Sequence, residues 1–112
     1  MANLFAGIPD DLPAELVDVL LRAGDVEIER IVSRGHASPP DGWYDQARDE
    51  FVVLLRGAAR LEFGDGTVVR LAPGDWLNIP AHRRHRVAWT DPDRDTVWLA
   101  VHHGPAAGSG PA

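Results

Sequence analysis

The sequence predicts an all-β domain, an antiparallel sandwich or barrel, with one short helix at its N-terminus. Two observations carry this reading. From Val26 to His103, short apolar or alternating runs follow one another, each closed by a turn rich in Gly, Pro or Asp. Before them lies one segment whose apolar residues recur at helical spacing. A chain of 112 residues is long enough for one core and marginal for two, so a single domain is expected.

The helix is placed over residues 10–24, DDLPAELVDVLLRAG. Asp10 and Asp11 suit its N-terminal end, Pro13 its first turn and Gly24 its stop. Leu12, Leu16, Val19 and Leu20 would form its apolar face, packed on the barrel or on a partner subunit. From Val26, VEIERIVS sets Val26, Ile28 and Arg30 against Glu27, Glu29 and Ile31, an imperfect strand alternation. SRGHASPPDGWYD is too rich in Gly and Pro for anything but a loop. EFVVLLR, from Glu50, is apolar enough for a strand buried on both sides. AARLEF and TVVRLA flank Gly64-Asp65-Gly66, a strong hairpin signal. The turn Ala72-Pro73-Gly74-Asp75 leads into WLNIP, and HRVAW and TVWLAVHH follow around the polar turn TDPDRD. The closing GPAAGSGPA is of low complexity and reads as a disordered tail. The expected organisation is an N-terminal segment at 1–25, a barrel at 26–103 and a tail at 104–112.

Composition excludes several functions. There is no cysteine, hence no disulfide, thiolate nucleophile or iron–sulfur site. All 11 basic residues are arginine, so a lysine Schiff base is excluded. A net charge of −6 argues against a nucleic-acid partner, which needs a basic footprint. No apolar run approaches the roughly 20 residues of a membrane span, and the N-terminus lacks the features of a signal peptide, so a cytoplasmic location is expected.

Two stretches carry a motif. Glu50 is followed by six residues and Gly57; Gly74 is followed by five residues and Pro80, with His85 five positions further on. This resembles the two-motif signature of the cupin superfamily, G-x5-H-x-H-x3-4-E-x6-G and G-x5-P-x-G-x2-H-x3-N. The resemblance spans about residues 26–103 and implies a double-stranded β-helix, the cupin jelly-roll barrel. The sequence also departs from the signature. The paired histidines of the first motif fall on Trp43, Tyr44, Asp45 and Gln46, depending on the spacer. His82 stands in place of the second motif's glycine, and Trp89 in place of its closing asparagine.

The resemblance implies a site for a divalent metal (Zn, Fe, Mn or Ni) with His85 as a ligand through an imidazole nitrogen. Glu50 is a ligand or a catalytic carboxylate; buried, it must be matched by a metal, an arginine or a proton. Asp45, Gln46, His82 and His102 complete the candidate ligands. His102 follows Trp98 and Ala100 at strand period, so it faces the barrel if they do. Tyr44, Arg83, Arg86 and Trp89 are candidates for substrate contact, the arginines because their forked guanidinium suits a phosphate or carboxylate. Families resembling this one include phosphosugar isomerases of the mannose-6-phosphate isomerase type, in which a metal would polarise the sugar carbonyl and Glu50 would move the proton. The competing expectation is a ligand-binding or sensing cup without metal, favoured by the loss of both histidines of the first motif. The expected partners are a small molecule and a second copy of the chain, since four tryptophans and many apolar strand residues exceed what so small a core covers.

Overall fold

Residues from Leu16 to His103 form eight strands in the computed structural model, which describes residues 2–104. The expected tail falls, from residue 105 onward, outside the described residues. The strands are β1 (Leu16–Ala23), β2 (Val26–Ser33), β3 (Asp49–Arg56), β4 (Ala59–Phe63), β5 (Val68–Leu71), β6 (Trp76–Ile79), β7 (His85–Thr90) and β8 (Thr96–His103). They pair into a five-stranded sheet, β1-β2-β8-β3-β6, and a three-stranded sheet, β5-β4-β7, antiparallel throughout.

Period-two alternation fixes which side chains face between the sheets. On β3, Val52 and Leu54 are buried; on β8, Trp98 and Ala100 are. They meet Ala59, Leu61, Phe63 and Leu71 from the smaller sheet, and Ile79 closes the same core. Gly57, which ends the first motif, has a backbone reason for its identity. Its φ is +91°, and a Cβ there would lie 2.4 Å from Thr96 Oγ1 and 2.6 Å from Thr96 Cα. Only glycine both adopts that conformation and lets β8 pass so close.

The N-terminal helix is not formed; residues 16–23 are the edge strand β1, and the barrel begins there instead of at Val26. β1 pairs with β2 from Leu16↔Val32 to Ala23↔Val26, across a tight turn in which Gly24 has φ +56°. The register shifts between Val19 and Leu21, leaving Leu20 as a bulge. That extra residue breaks the alternation of Val17 and Val19 and gives the run its helical look. Pairing with β2 supplies the backbone partners that a single short helix would have had to find alone. Ahead of β1 the chain lies over the five-stranded sheet, tied by the Arg30 guanidinium to the Leu4 and Ala6 carbonyls and by Arg34 to the Asp10 and Pro9 carbonyls.

Candidate functional site

Between the sheets, beyond the apolar core, lies a cavity of about 210 Å³. Its walls are apolar where Val52, Leu61, Ile79, Val87 and Trp98 meet, and polar where Glu15, Glu29, Tyr44, Gln46, Glu50, His85 and His102 converge. Strand register explains the convergence. Glu50 precedes Val52 by two residues on β3, and His102 follows Ala100 by two on β8, so both share the core-facing side. Their backbones are direct partners, Glu50↔His102. His85 opens β7 opposite Phe63, and Tyr44 forms a backbone bridge with it. The turn delivering His85 is held by two bonds: His82 N–H donates to the Gln46 carbonyl at 2.8 Å, and Ala81 N–H to the Asp49 carboxylate at 2.8 Å.

Two imidazole–carboxylate pairs face this cavity. His85 Nε2 lies 3.4 Å from Glu50 Oε1, with side chains only 7% and 12% exposed. His102 Nε2 lies 2.6 Å from Glu29 Oε1. Hydrogen-bond geometry assigns the protons of the His85 pair. Its Nδ1 is 2.9 Å from the Arg83 carbonyl, which can only accept, so Nδ1 bears a hydrogen. Nε2 faces a carboxylate oxygen, and that contact is favourable only with a second proton between them. His85 is then imidazolium beside the Glu50 carboxylate. Electrostatics agree. Burial alone would push the His85 pKa down, but the hydrogen bonds to Glu50 and to the Arg83 carbonyl, with the Glu50 charge, outweigh it and raise the pKa. The Tyr44 ring stands 5.5 Å from the His85 ring; burial and the charges of Glu15 and Glu50 raise its phenol. Glu15 is also raised, chiefly by burial and further by Glu29 and Glu50, against a lowering bond from Ser33 and the His36 charge.

The other candidate residues lie elsewhere. His82 and Asp45 bond each other at 2.7 Å, with side chains 70% and 53% exposed, outside the cavity. His82 sits at φ +63°, the left-handed conformation for which the motif uses glycine. Arg86 alternates outward between His85 and Val87. It pairs with Glu62, which it faces across β4, and donates to the Pro40 carbonyl at 2.9 Å. Arg83 lies over the Phe63 ring at 3.9 Å, and Trp89 stands under Arg60 on the outer face of the smaller sheet. None of these five lines the cavity. Sequence reasoning missed Glu29 and Glu15. For Glu29 the signal was present, since it shares a strand face with Ile31; Glu15 fell inside the supposed helix.

A metal would find these donors poorly disposed. Among the described residues no group of three or more His, Cys, Asp or Glu side chains is arranged to hold an ion. His85 Nε2 is engaged by Glu50, and His102 Nε2 by Glu29. The first motif supplies Tyr44 and Gln46 to the cavity where two histidines would stand. The donor set does not fit a cupin metal site.

Barrel, motif glycine and interior pocket together define a small cupin. The sequence model of the cupin domain matches residues 31–102, and the chain belongs to that family. A crystal structure from Ralstonia eutropha JMP134, named a "putative mannose-6-phosphate isomerase", is 50% identical over 93% of this chain and 97% of that one, with a TM-score of 0.88. A cupin superfamily protein from Desulfitobacterium hafniense DCB-2 is 21% identical over 87% of this chain and 84% of its own, TM-score 0.71. An RmlC-like cupin family protein with a double-stranded β-helix fold, from Methanocaldococcus jannaschii, is 17% identical over 88% of each chain, TM-score 0.68. The last two show the fold alone. No curated protein matches.

Proposed function

We propose that this cupin is a metal-independent cup for a small polar molecule, neutral or cationic, to which the His85–Glu50 pair presents a proton. The observation that carries this reading is the nearly buried His85–Glu50 contact, 3.4 Å between Nε2 and Oε1, with Nδ1 turned to the Arg83 carbonyl. Three carboxylates, Glu15, Glu29 and Glu50, line the cavity and no arginine does, so an anionic group is disfavoured inside it. At about 210 Å³ the cavity is smaller than the roughly 300–1,000 Å³ of drug-sized sites. The buried indole N–H of Trp98, which has no partner among the described residues, offers a further donor to a ligand oxygen. Thermal shift with mannose, an aminosugar and mannose-6-phosphate tests the charge preference. The neutral or cationic compound should stabilise the protein, and a larger shift with the phosphate that disappears in His85→Ala, and so arises in this cavity, would refute the proposal.

A second reading rests on the relative from R. eutropha, whose name is that of a sugar-phosphate isomerase. The same pair suits aldose–ketose isomerisation. Glu50 as carboxylate takes the proton from C2, the C–H electrons form the C1–C2 double bond, and the carbonyl oxygen takes the proton of His85 to give an enediol. Returning the carbon proton to C1, and the O2 proton to His85, completes the exchange. The phosphate would then project from the mouth of the cavity. Incorporation of solvent deuterium at C1 or C2 of mannose or mannose-6-phosphate supports this reading; absence of exchange leaves the binding cup.

A further inference from the structure

The outer face of the three-stranded sheet carries a second concavity, of about 450 Å³, unconnected with the residues of the interior pocket. Arg60 and Arg70 are direct cross-strand partners on β4 and β5. On its other side Arg60 is paired with Trp89 of β7, and its guanidinium lies 5.1 Å from that ring's centroid. Arg70, Arg60 and Trp89 therefore form one row across the sheet, and all three line the concavity. Neither arginine forms an ion pair or a side-chain hydrogen bond among the described residues, although the protein has an excess of acidic groups. Like charges directly opposed across strands are destabilising, so their retention side by side calls for a compensating charge. Ala58, Ala59, Leu71 and Ala72 also line it. Asp75 also lines the concavity, but its Oδ2 accepts the Ala72 N–H at 2.8 Å, within its own turn.

We propose that this face binds a small anionic molecule bearing a phosphate or carboxylate, its anionic group between the forks of Arg60 and Arg70. Two forked guanidiniums side by side match the oxygens of such a group, and the Trp89 indole beneath Arg60 holds that guanidinium in place by a cation–π contact. This site is independent of the reading given for the interior pocket.

Calorimetry with pyrophosphate at constant ionic strength tests it, with citrate as a second arm to separate phosphate from carboxylate ligands. The expected result is one equivalent bound by the unaltered protein, with affinity at least about tenfold lower in both Arg60→Gln and Arg70→Gln, a loss of about 1.4 kcal/mol or more. Arg22→Gln, on the exposed edge strand of the other sheet, should bind as the unaltered protein does. Arg70 is exposed, so its replacement leaves the fold intact. Relief of the cross-strand repulsion should leave the ligand-free Tm of Arg70→Gln unchanged or raised, the opposite of what a purely structural arginine would show. No binding of either anion at millimolar concentration, or undiminished binding in both Gln variants, would overturn the proposal.

Discussion

Replacing Glu50 by glutamine removes the carboxylate charge from His85 while keeping the side chain's shape. In the native pair both groups are nearly buried, at 7% and 12% exposure, so solvent screens their interaction weakly. A hydrogen bond to a charged group contributes about 1.5–3 kcal/mol net. The 3.4 Å separation is longer than the 2.7–2.9 Å of the strongest charge-assisted bonds, which places this pair at the lower end, about 1.5 kcal/mol. For a domain of this size that is a loss of about 6–12 °C in Tm near pH 6. The loss must shrink as pH rises. His85 has a folded pKa above its ordinary 6.5. A raised folded pKa adds stability that is complete below about 6.5 and disappears as pH rises through the folded value. At alkaline pH, with His85 neutral in both proteins, the variant and the parent should converge. NMR titration of the His85 ring provides the second readout: in Glu50→Gln its pKa should fall, because burial is then opposed only by the Arg83 carbonyl. An unchanged His85 titration, or a stability difference independent of pH, would refute the shared-proton assignment.

Three further outcomes are expected. His82→Gly should hold or raise Tm, because relief of left-handed strain, about 1–2 kcal/mol, exceeds an exposed ion pair worth about 0–1 kcal/mol; His82→Val should lower it. Gly57→Ala should cost more than about 1 kcal/mol by chemical denaturation, since the added Cβ meets Thr96 at φ +91°. The chain should run as a homodimer in light scattering, associating through the outer face of the larger sheet where Trp76 is 65% exposed and its ring lies 5.4 Å from Phe51. Trp76→Glu should yield monomer there, and a monomeric mass for the unaltered protein would contradict the proposed interface.

The strands from Val26 onward were legible because their turns are marked by Gly, Pro and Asp, and because alternation survives in each run. β1 was not legible: one bulged residue, Leu20, shifted its apolar pattern to a helical spacing, and only pairing with β2 resolves it. Within the site, strand period was informative where strands are regular: His102, two residues beyond Ala100, lines the cavity with Trp98. Residues around the Pro80 turn were harder. His82 and Asp45 turn to solvent and bond each other there, and Arg83 folds over Phe63. Arg86 and Trp89 lie on the smaller sheet's outer face, where β7 alternation and its bulge against β4 carry them. Glu29 shares a strand face with Ile31, and β2 directs that face toward the cavity. The Glu29 carboxylate engages the His102 nitrogen, Nε2, that faces the cavity.

Metal content and metal response of the untagged protein test the central claim most directly. Protein purified without chelator or polyhistidine tag should contain well under one equivalent of transition metal, and adding Mn, Fe, Ni or Zn should not raise its Tm, because each cavity imidazole is already committed to a carboxylate. One equivalent of bound metal that is lost in His85→Ala and kept in His36→Ala would contradict the account, and would show that the pair opens to form a metal site.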